Sequence, residues 1–370
     1  MRIVADDKIP FLRGVLEPFA EIEYYPGHLI SSQTVKNADA LIIRTRTNCN
    51  AELLNGSKVK FIATATIGFD HIDTTCCNSA GIKWTNAPGC NSGSVMQYIA
   101  SAIMVLSQKY NFRLAGKTLG VVGHGNVGSK VAKMAKTLGM NVLINDPPLQ
   151  RRGLLENAVS LNEIIEKADI ISFHVPLNMG GQDNTFHLAG KDFFKQIKPG
   201  KIILNSSRGE IVDETFLKQG LYGKKIKSAV LDVWNNEPEI DRELLNLVDF
   251  ATPHIAGYSL DGKSNGTAMS VQAVSRFFGL GLDNWFPEEI PEPENKILKT
   301  DRKSPAEEMV REIILQTYDI RNDDRMLKTN PAEFEKLRGN YPIRREFFNY
   351  LVSADNDQIK EVFSLLGFKI

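Results

Sequence analysis

The stretch Lys117 to Gly128, KTLGVVGHGNVG, constrains this chain more than any other. An apolar run ends in Gly123, Gly125 and Gly128, and Val127, Val131, Ala135 and Leu138 then recur at helical spacing, so the segment predicts a strand, a tight turn and a helix. Each glycine has its own task in such a turn. Gly123 permits the bend, Gly125 leaves bare backbone where a pyrophosphate can approach, and Gly128 lets helix and strand pack closely. With Asn126 and Val127 they form a candidate dinucleotide cradle. A second apolar strand, Asn141 to Asn145, ends at Asp146, whose carboxylate can accept hydrogen bonds from ribose hydroxyls and would repel an added 2'-phosphate. The expected cofactor is therefore NAD rather than NADP.

The same alternation extends in both directions. Before the turn, apolar runs at Arg2 to Ala5, Glu21 to Tyr25, Ala40 to Arg44, Phe61 to Ala65 and Lys83 to Asn86 predict a small, mostly parallel α/β domain. Arg44, Thr45 and Arg46 follow its third strand, and Thr66, Ile67 and Gly68 follow its fourth, at the carboxyl ends that ligands favour. In the run DHID, Asp70 to Asp73, the acids read as a helix opening rather than a metal cluster. Asn91 to Tyr110 predicts a long buried helix joining two domains. After it, six strand candidates, at Leu119, Val142, Ile170, Ile202, Ala229 and Phe250, predict a doubly wound sheet of order 3-2-1-4-5-6. Ser259 to Leu282 predicts a helix returning to the first domain, and the prolines of FPEEIPEPE predict an extended linker. Two helix openings follow, at Ser304, Pro305 and Glu307 and at Asn330, Pro331 and Glu333. The expected division is 1–92 with 257–284, then 93–256, then an α-rich 285–370.

The strand ends of the second domain carry the chemistry. One runs into Ser206, Ser207 and Arg208, the next into Asp232 and Glu237, and the last into His254, Gly257 and Tyr258. Oxidising a 2-hydroxy acid removes a proton from oxygen and a hydride from the same carbon, so one group must accept the proton near neutral pH. His254 suits that task, Glu237 can bond its other ring nitrogen and fix the tautomer, and Arg208 can hold a carboxylate and polarise a developing carbonyl. Asp232 reads either as a contact to the nicotinamide amide or as a strand-end cap. His174 reads as structural or as lining the cofactor cleft.

Lysine plus arginine equal aspartate plus glutamate, 44 against 44, which offers no broad attraction to nucleic acid or anionic lipid. No apolar run approaches a membrane span, and the four cysteines, Cys49, Cys76, Cys77 and Cys90, show no metal-ligand spacing, so no metal is expected. The N-terminus lacks a secretory pattern. The expected location is the cytoplasm, with reduced thiols.

The glycine loop with Asp146, and the runs NSSRGEIVDE, LDVWNNEP and PHIAGYS, together resemble the D-2-hydroxyacid dehydrogenase family over roughly the first 280 residues. The resemblance implies a Rossmann NAD-binding domain, a smaller flavodoxin-like substrate domain, and Arg208, Glu237 and His254 as catalytic residues. It implies NAD contacts from Gly123 to Gly128, Asp146, Val175, Ser206, Ser207, Arg208, Asp232 and Gly257, and substrate contacts from Thr45, Thr66 and Tyr258. Val175 stands where a hydroxyl residue is common, so its contact would run through backbone. The segment INDPP, the tail beyond Trp285 and the run YPIRREF resemble a branch that acts on a phosphorylated 2-hydroxy acid and dimerises through its C-terminal domain. Cations for the phosphate would come from Arg44 and Arg46, or from Arg344 and Arg345, whose other role would be tail packing. Two rivals remain at this level: another family member, such as one acting on 3-phosphoglycerate, and an NAD-sensing corepressor.

Overall fold

The computed structural model describes residues 1–299, 304–354 and 356–370. The chain forms two compact units, one of residues 1–91 with 259–291 and one of residues 92–258 with 292–370. The first holds five strands, β1 (Arg2–Asp6), β2 (Glu21–Tyr25), β3 (Ala40–Ile43), β4 (Phe61–Thr64) and β5 (Lys83–Thr85). All pair in parallel in the order β2-β1-β3-β4-β5, which is flavodoxin-like. Successive side chains of a strand face opposite ways, and a parallel sheet must cover both faces. Accordingly Val4, Leu41, Ile43 and Ile62 pack on one side, and Ile3, Ala5, Ile42 and Ala63 on the other with Val271 and Val274 of the helix Leu260–Phe278. Asp73 caps the helix Thr74–Ser79 by accepting from the Cys76 amide at 2.9 Å, as the acids there predict.

The second unit is built on β6 (Thr118–Val122), β7 (Asn141–Asn145), β8 (Ile170–Phe173), β9 (Lys201–Asn205), β10 (Ile226–Leu231) and β11 (Phe250–Ala251). The six are parallel in the order β11-β10-β9-β8-β6-β7. This corrects the expected order, because β8 lies beside β6, where the fourth strand of a Rossmann sheet belongs. The missing third strand is reduced to one parallel bridge outside β7, between Ile144 and Ala158. The Val159 amide donates to the Ile144 carbonyl at 2.8 Å, and Asn145 Nδ2 donates to the Val159 carbonyl at 2.7 Å. With that remnant counted, the sheet reads 3-2-1-4-5-6 plus a seventh strand. The helix Ser92–Lys109 is buried along nearly all its length and packs in the core that carries Leu119, Val121, Val131 and Ala135.

The C-terminal region packs within this second unit. Its helices are Ala306–Thr317, Ile320–Thr329, Phe334–Gly339 and Asp357–Leu366, and its strands β12 (Ile297–Lys299) and β13 (Leu351–Ser353) pair in parallel. The first helix opens differently from expectation: Pro305 is the N-cap without a side-chain cap, and the Glu307 carboxylate accepts from the Leu114 amide at 3.3 Å instead. Among the described residues no helix is long and apolar enough to cross a membrane.

Candidate active site

The glycine turn closes as its sequence requires. Gly123 sits at φ +90°, and a Cβ on Gly128 would collide with the Gly123 carbonyl. Gly125 differs, since a Cβ there would meet nothing within 4 Å among the described residues. None of those residues requires a glycine there, and the space fits an outside group. Gly125 is also the N-cap of the helix Asn126–Thr137, whose first turn has no side-chain cap and so presents amides and a positive dipole end to an anion. Asp146, at the end of β7, accepts from the His124 amide at 2.8 Å and the Leu149 amide at 3.0 Å. A carboxylate has about four acceptor sites, so the fixed Asp146 keeps capacity for ribose hydroxyls. Ser206 Oγ, just past β9, is buried without a hydrogen-bond partner among the described residues. Open space over Gly125, an uncapped helix start and an orphaned hydroxyl together fit a dinucleotide.

His174 follows β8, and its backbone lies against the Gly123 turn. Burial pushes its imidazole down to about 3, and its Nε2 pairs with Ser172 Oγ at 2.9 Å. Val175 packs near the Gly123 turn.

Past β9 the chain turns through Asn205. Its Oδ1 accepts from Ser207 N at 3.1 Å and Ser207 Oγ at 2.8 Å, its Nδ2 donates to the Arg208 carbonyl at 2.8 Å, and Arg208 Nη1 donates to the Ser207 carbonyl at 2.7 Å. A Cβ on Gly209 would strike the backbone of Trp234, so the Arg208 turn lies directly against the segment that leads to Glu237.

Glu237 and His254 meet as a pair, with His254 Nδ1 2.8 Å from Glu237 Oε2. The other carboxylate oxygen accepts from the Trp234 amide at 3.0 Å, which locks the acid in place. Burial alone would raise the Glu237 carboxyl; His254, then Arg338 and the Trp234 amide, reverse the direction and hold it below its ordinary value. His254 itself sits at φ +56°, a left-handed conformation that costs a non-glycine residue on the order of 1 kcal/mol and needs support from its surroundings.

Asp232 supplies that support. Only 1% exposed, its carboxylate accepts from Thr252 Oγ1 at 2.6 Å, the Ile255 amide at 2.7 Å and the Ala256 amide at 2.9 Å, and its carbonyl accepts from the His254 amide at 2.7 Å. Burial raises its carboxyl above the ordinary value despite His254 and these donors. Of the two readings for Asp232, capping of the strand end is the one visible in the chain, and about one acceptor site is left for a cofactor amide. Gly257 and Tyr258 follow in the same loop, both half-buried.

The phosphate candidates separate. In the first unit Arg44 is committed to buried Asp6 through a fork, Nε to Oδ2 at 3.2 Å and Nη2 to Oδ1 at 3.0 Å. Thr45 and Arg46 are exposed, and Thr66 Oγ1 donates to the Gly68 carbonyl at 2.9 Å. In the second unit Arg344 and Arg345 are each 5% exposed, and their contacts within the chain are those of tail packing, the other of their two readings. Arg344 Nη2 donates to the Ala256 and Ile255 carbonyls, its guanidinium carbon lies 4.5 Å from the Tyr318 ring centroid, and Arg345 Nη2 donates to Asn349 Oδ1 at 2.6 Å.

Sequence reasoning missed Arg338. Its Nη2 donates to the Tyr258 hydroxyl at 3.1 Å, and its guanidinium carbon lies 5.7 Å from that ring's centroid. No local signal could have found it, because 80 residues separate the two.

Comparison with known proteins adds the following. Residues 99–256 match the D-isomer specific 2-hydroxyacid dehydrogenase NAD binding domain, and residues 290–367 match a domain of unknown function. A Bacteroides fragilis protein named erythronate-4-phosphate dehydrogenase is 51% identical, with 94% of this chain and 97% of that protein covered. A protein of the same name from Proteus mirabilis is 39% identical, with 100% and 99% covered. Among solved structures, 3-phosphoglycerate dehydrogenase of Entamoeba histolytica with bound NAD+ aligns at TM-score 0.66 and 27% identity, covering 79% of this chain and 99% of that one. D-lactate dehydrogenase of Aquifex aeolicus, complexed with NAD and lactic acid, aligns at 0.63 and 26% identity, covering 76% and 97%.

Proposed function

This chain belongs to the erythronate-4-phosphate dehydrogenases, within the D-isomer-specific 2-hydroxyacid dehydrogenases, and from that premise we propose how its residues divide the work. The enzyme is an NAD-dependent oxidoreductase that converts 4-phospho-D-erythronate to 2-oxo-3-hydroxy-4-phosphobutanoate, a step of pyridoxal 5'-phosphate synthesis. Bound NAD supplies the hydride acceptor. His254 takes the proton of the C2 hydroxyl, and the observation that carries this reading is its 2.8 Å contact to Glu237. That bond directs the Nδ1 proton to the carboxylate, so Nε2 is the basic nitrogen, and it stabilises the imidazolium that forms. Arg208 holds the substrate carboxylate and polarises the new carbonyl. Thr45, Thr66 and Tyr258 position the substrate, and Arg44, which forks onto Asp6, and the exposed Arg46 are the candidate cations for the phosphate.

We also infer a cytoplasmic homodimer. Free thiols at all four cysteines support the compartment. The dimer is supported by two exposed apolar neighbours on the outer face of the C-terminal sheet, the register partners Ile297 and Leu351, 57% and 36% exposed.

The test is NAD reduction with 4-phospho-D-erythronate against 3-phosphoglycerate. The first should be clearly preferred, and the reverse preference would overturn the substrate assignment. His254→Ala should lower kcat by at least about a hundredfold while leaving NADH binding in place, which a cofactor-sensing regulator would not require.

A further inference from the structure

The loop 252–258 carries both His254 and Tyr258, and two arginines of the C-terminal region reach it from outside the sheet. Arg344 is buried and donates to the carbonyls of Ile255 and Ala256, the residues whose amides Asp232 holds from the other side. That contact is to backbone, and packing explains it. Arg338 is another matter, because its contacts lead to side chains that do chemistry.

The Arg338 side chain is only 12% exposed. A guanidinium withdrawn from water is costly unless its donors and its charge are used. Its Nη1 reaches Glu335 Oε1 at 3.4 Å, a long and weak contact, while its Nε is buried with no hydrogen-bond partner among the described residues. Its best bond, at 3.1 Å, is from Nη2 to the hydroxyl of Tyr258. The same ring is met edge-on by Tyr341 at 6.0 Å between centroids. A phenol whose oxygen accepts from a cation has its one proton directed elsewhere and is a stronger donor.

We propose that Arg338 is a positioning residue of the active site, supplied by the C-terminal region of the same chain, which holds the Tyr258 ring and hydroxyl in the orientation that meets substrate. The inference rests on the functional reading above. The position agrees with the influence of Arg338 on Glu237, which favours the ionised carboxylate.

The experiment compares wild type, R338K, R338Q, Y258F and the R338Q/Y258F double variant in the oxidation direction. R338Q should lower kcat by about tenfold, well short of the His254→Ala loss, with NADH fluorescence titrations unchanged. R338K, which can still donate to the phenol, should recover part of that loss. The double variant should be no worse than Y258F alone, because the two residues act through one contact. Additive losses overturn the proposal. Where R338Q does not fold, R338K decides: a lowered kcat that adds nothing to the Y258F loss supports it, and wild-type kinetics overturn it. Absence of turnover in wild type would instead sink the functional reading. Arg338 is then judged by near-ultraviolet circular dichroism: the difference between wild type and Y258F must shrink in the R338Q background, and an unchanged difference overturns the contact.

Discussion

At the end of β10 two carboxylates stand a few residues apart and are driven in opposite directions. Glu237 is kept ionised by the groups it serves, and Asp232 is pushed up by burial while it ties down the backbone of the loop. A third acid, Glu214, takes part from the helix Glu214–Tyr222: its Oε1 accepts from the Asn235 amide at 2.8 Å, inside the segment between Asp232 and Glu237. Burial pushes the Glu214 carboxyl up from 4.5 to about 7. A raised acid binds its proton more tightly in the folded state, so its ionisation costs stability, and that cost grows as pH rises from about 4.5 to about 7. E214Q keeps an acceptor oxygen for Asn235 and cannot ionise. Its urea midpoint should match wild type at about pH 5 and exceed it at about pH 8, and a gap independent of pH would show that Glu214 titrates normally. Glu237 and His254 are legible in the sequence because each closes a strand-end run. The burial of Glu214 is not, since it depends on how a helix lies against a loop.

The glycine turn shows what an element can and cannot declare. Its three glycines, the helix after it and the strand before it all follow from twelve residues, and the structure agrees. The strand beyond β7 does not follow, because a strand worn down to the single bridge at Ala158 has no period to detect, and without it the six apolar runs point to the wrong place for β8. Within the turn, Gly125 and Gly128 carry different expectations. G128A must fail in both stability and binding, since its methyl would lie on the Gly123 carbonyl. G125A has ordinary φ, −74°, and open space, so its melting temperature should stay within a few degrees of wild type. Its methyl would occupy the place given to the pyrophosphate, and NADH affinity by fluorescence should fall by about tenfold or more. Unchanged affinity would mean the dinucleotide lies elsewhere.

For the whole molecule, the C-terminal region has two sides with different duties. The inward side packs Val310, Ile313, Tyr318 and Phe363 into the core shared with the helix Ser92–Lys109, and sends Arg338 and Arg344 to the loop 252–258. The outward side leaves Ile343, Phe348 and Ile370 at 64%, 48% and 49% exposure, along with Ile297 and Leu351 on the open face of β12 and β13. Composition announces neither duty: the proline run marks where the region begins, and only the pairing of β12 with β13 shows that Ile297 and Leu351, far apart in sequence, lie side by side on one face. A face of this kind on a symmetric dimer meets its own copy, so one substitution is felt twice. The double variant I297K/L351K should therefore run as a monomer by light scattering, with unchanged helical circular dichroism, whereas wild type runs as a dimer. Because Glu237, His254, Tyr258 and Arg338 all belong to one unit of one chain, the monomer should keep measurable oxidation of 4-phospho-D-erythronate. A folded monomer without turnover would mean that the partner chain completes the site, and a wild-type protein that is itself monomeric would remove the dimer from the account while leaving the loop 252–258 as described.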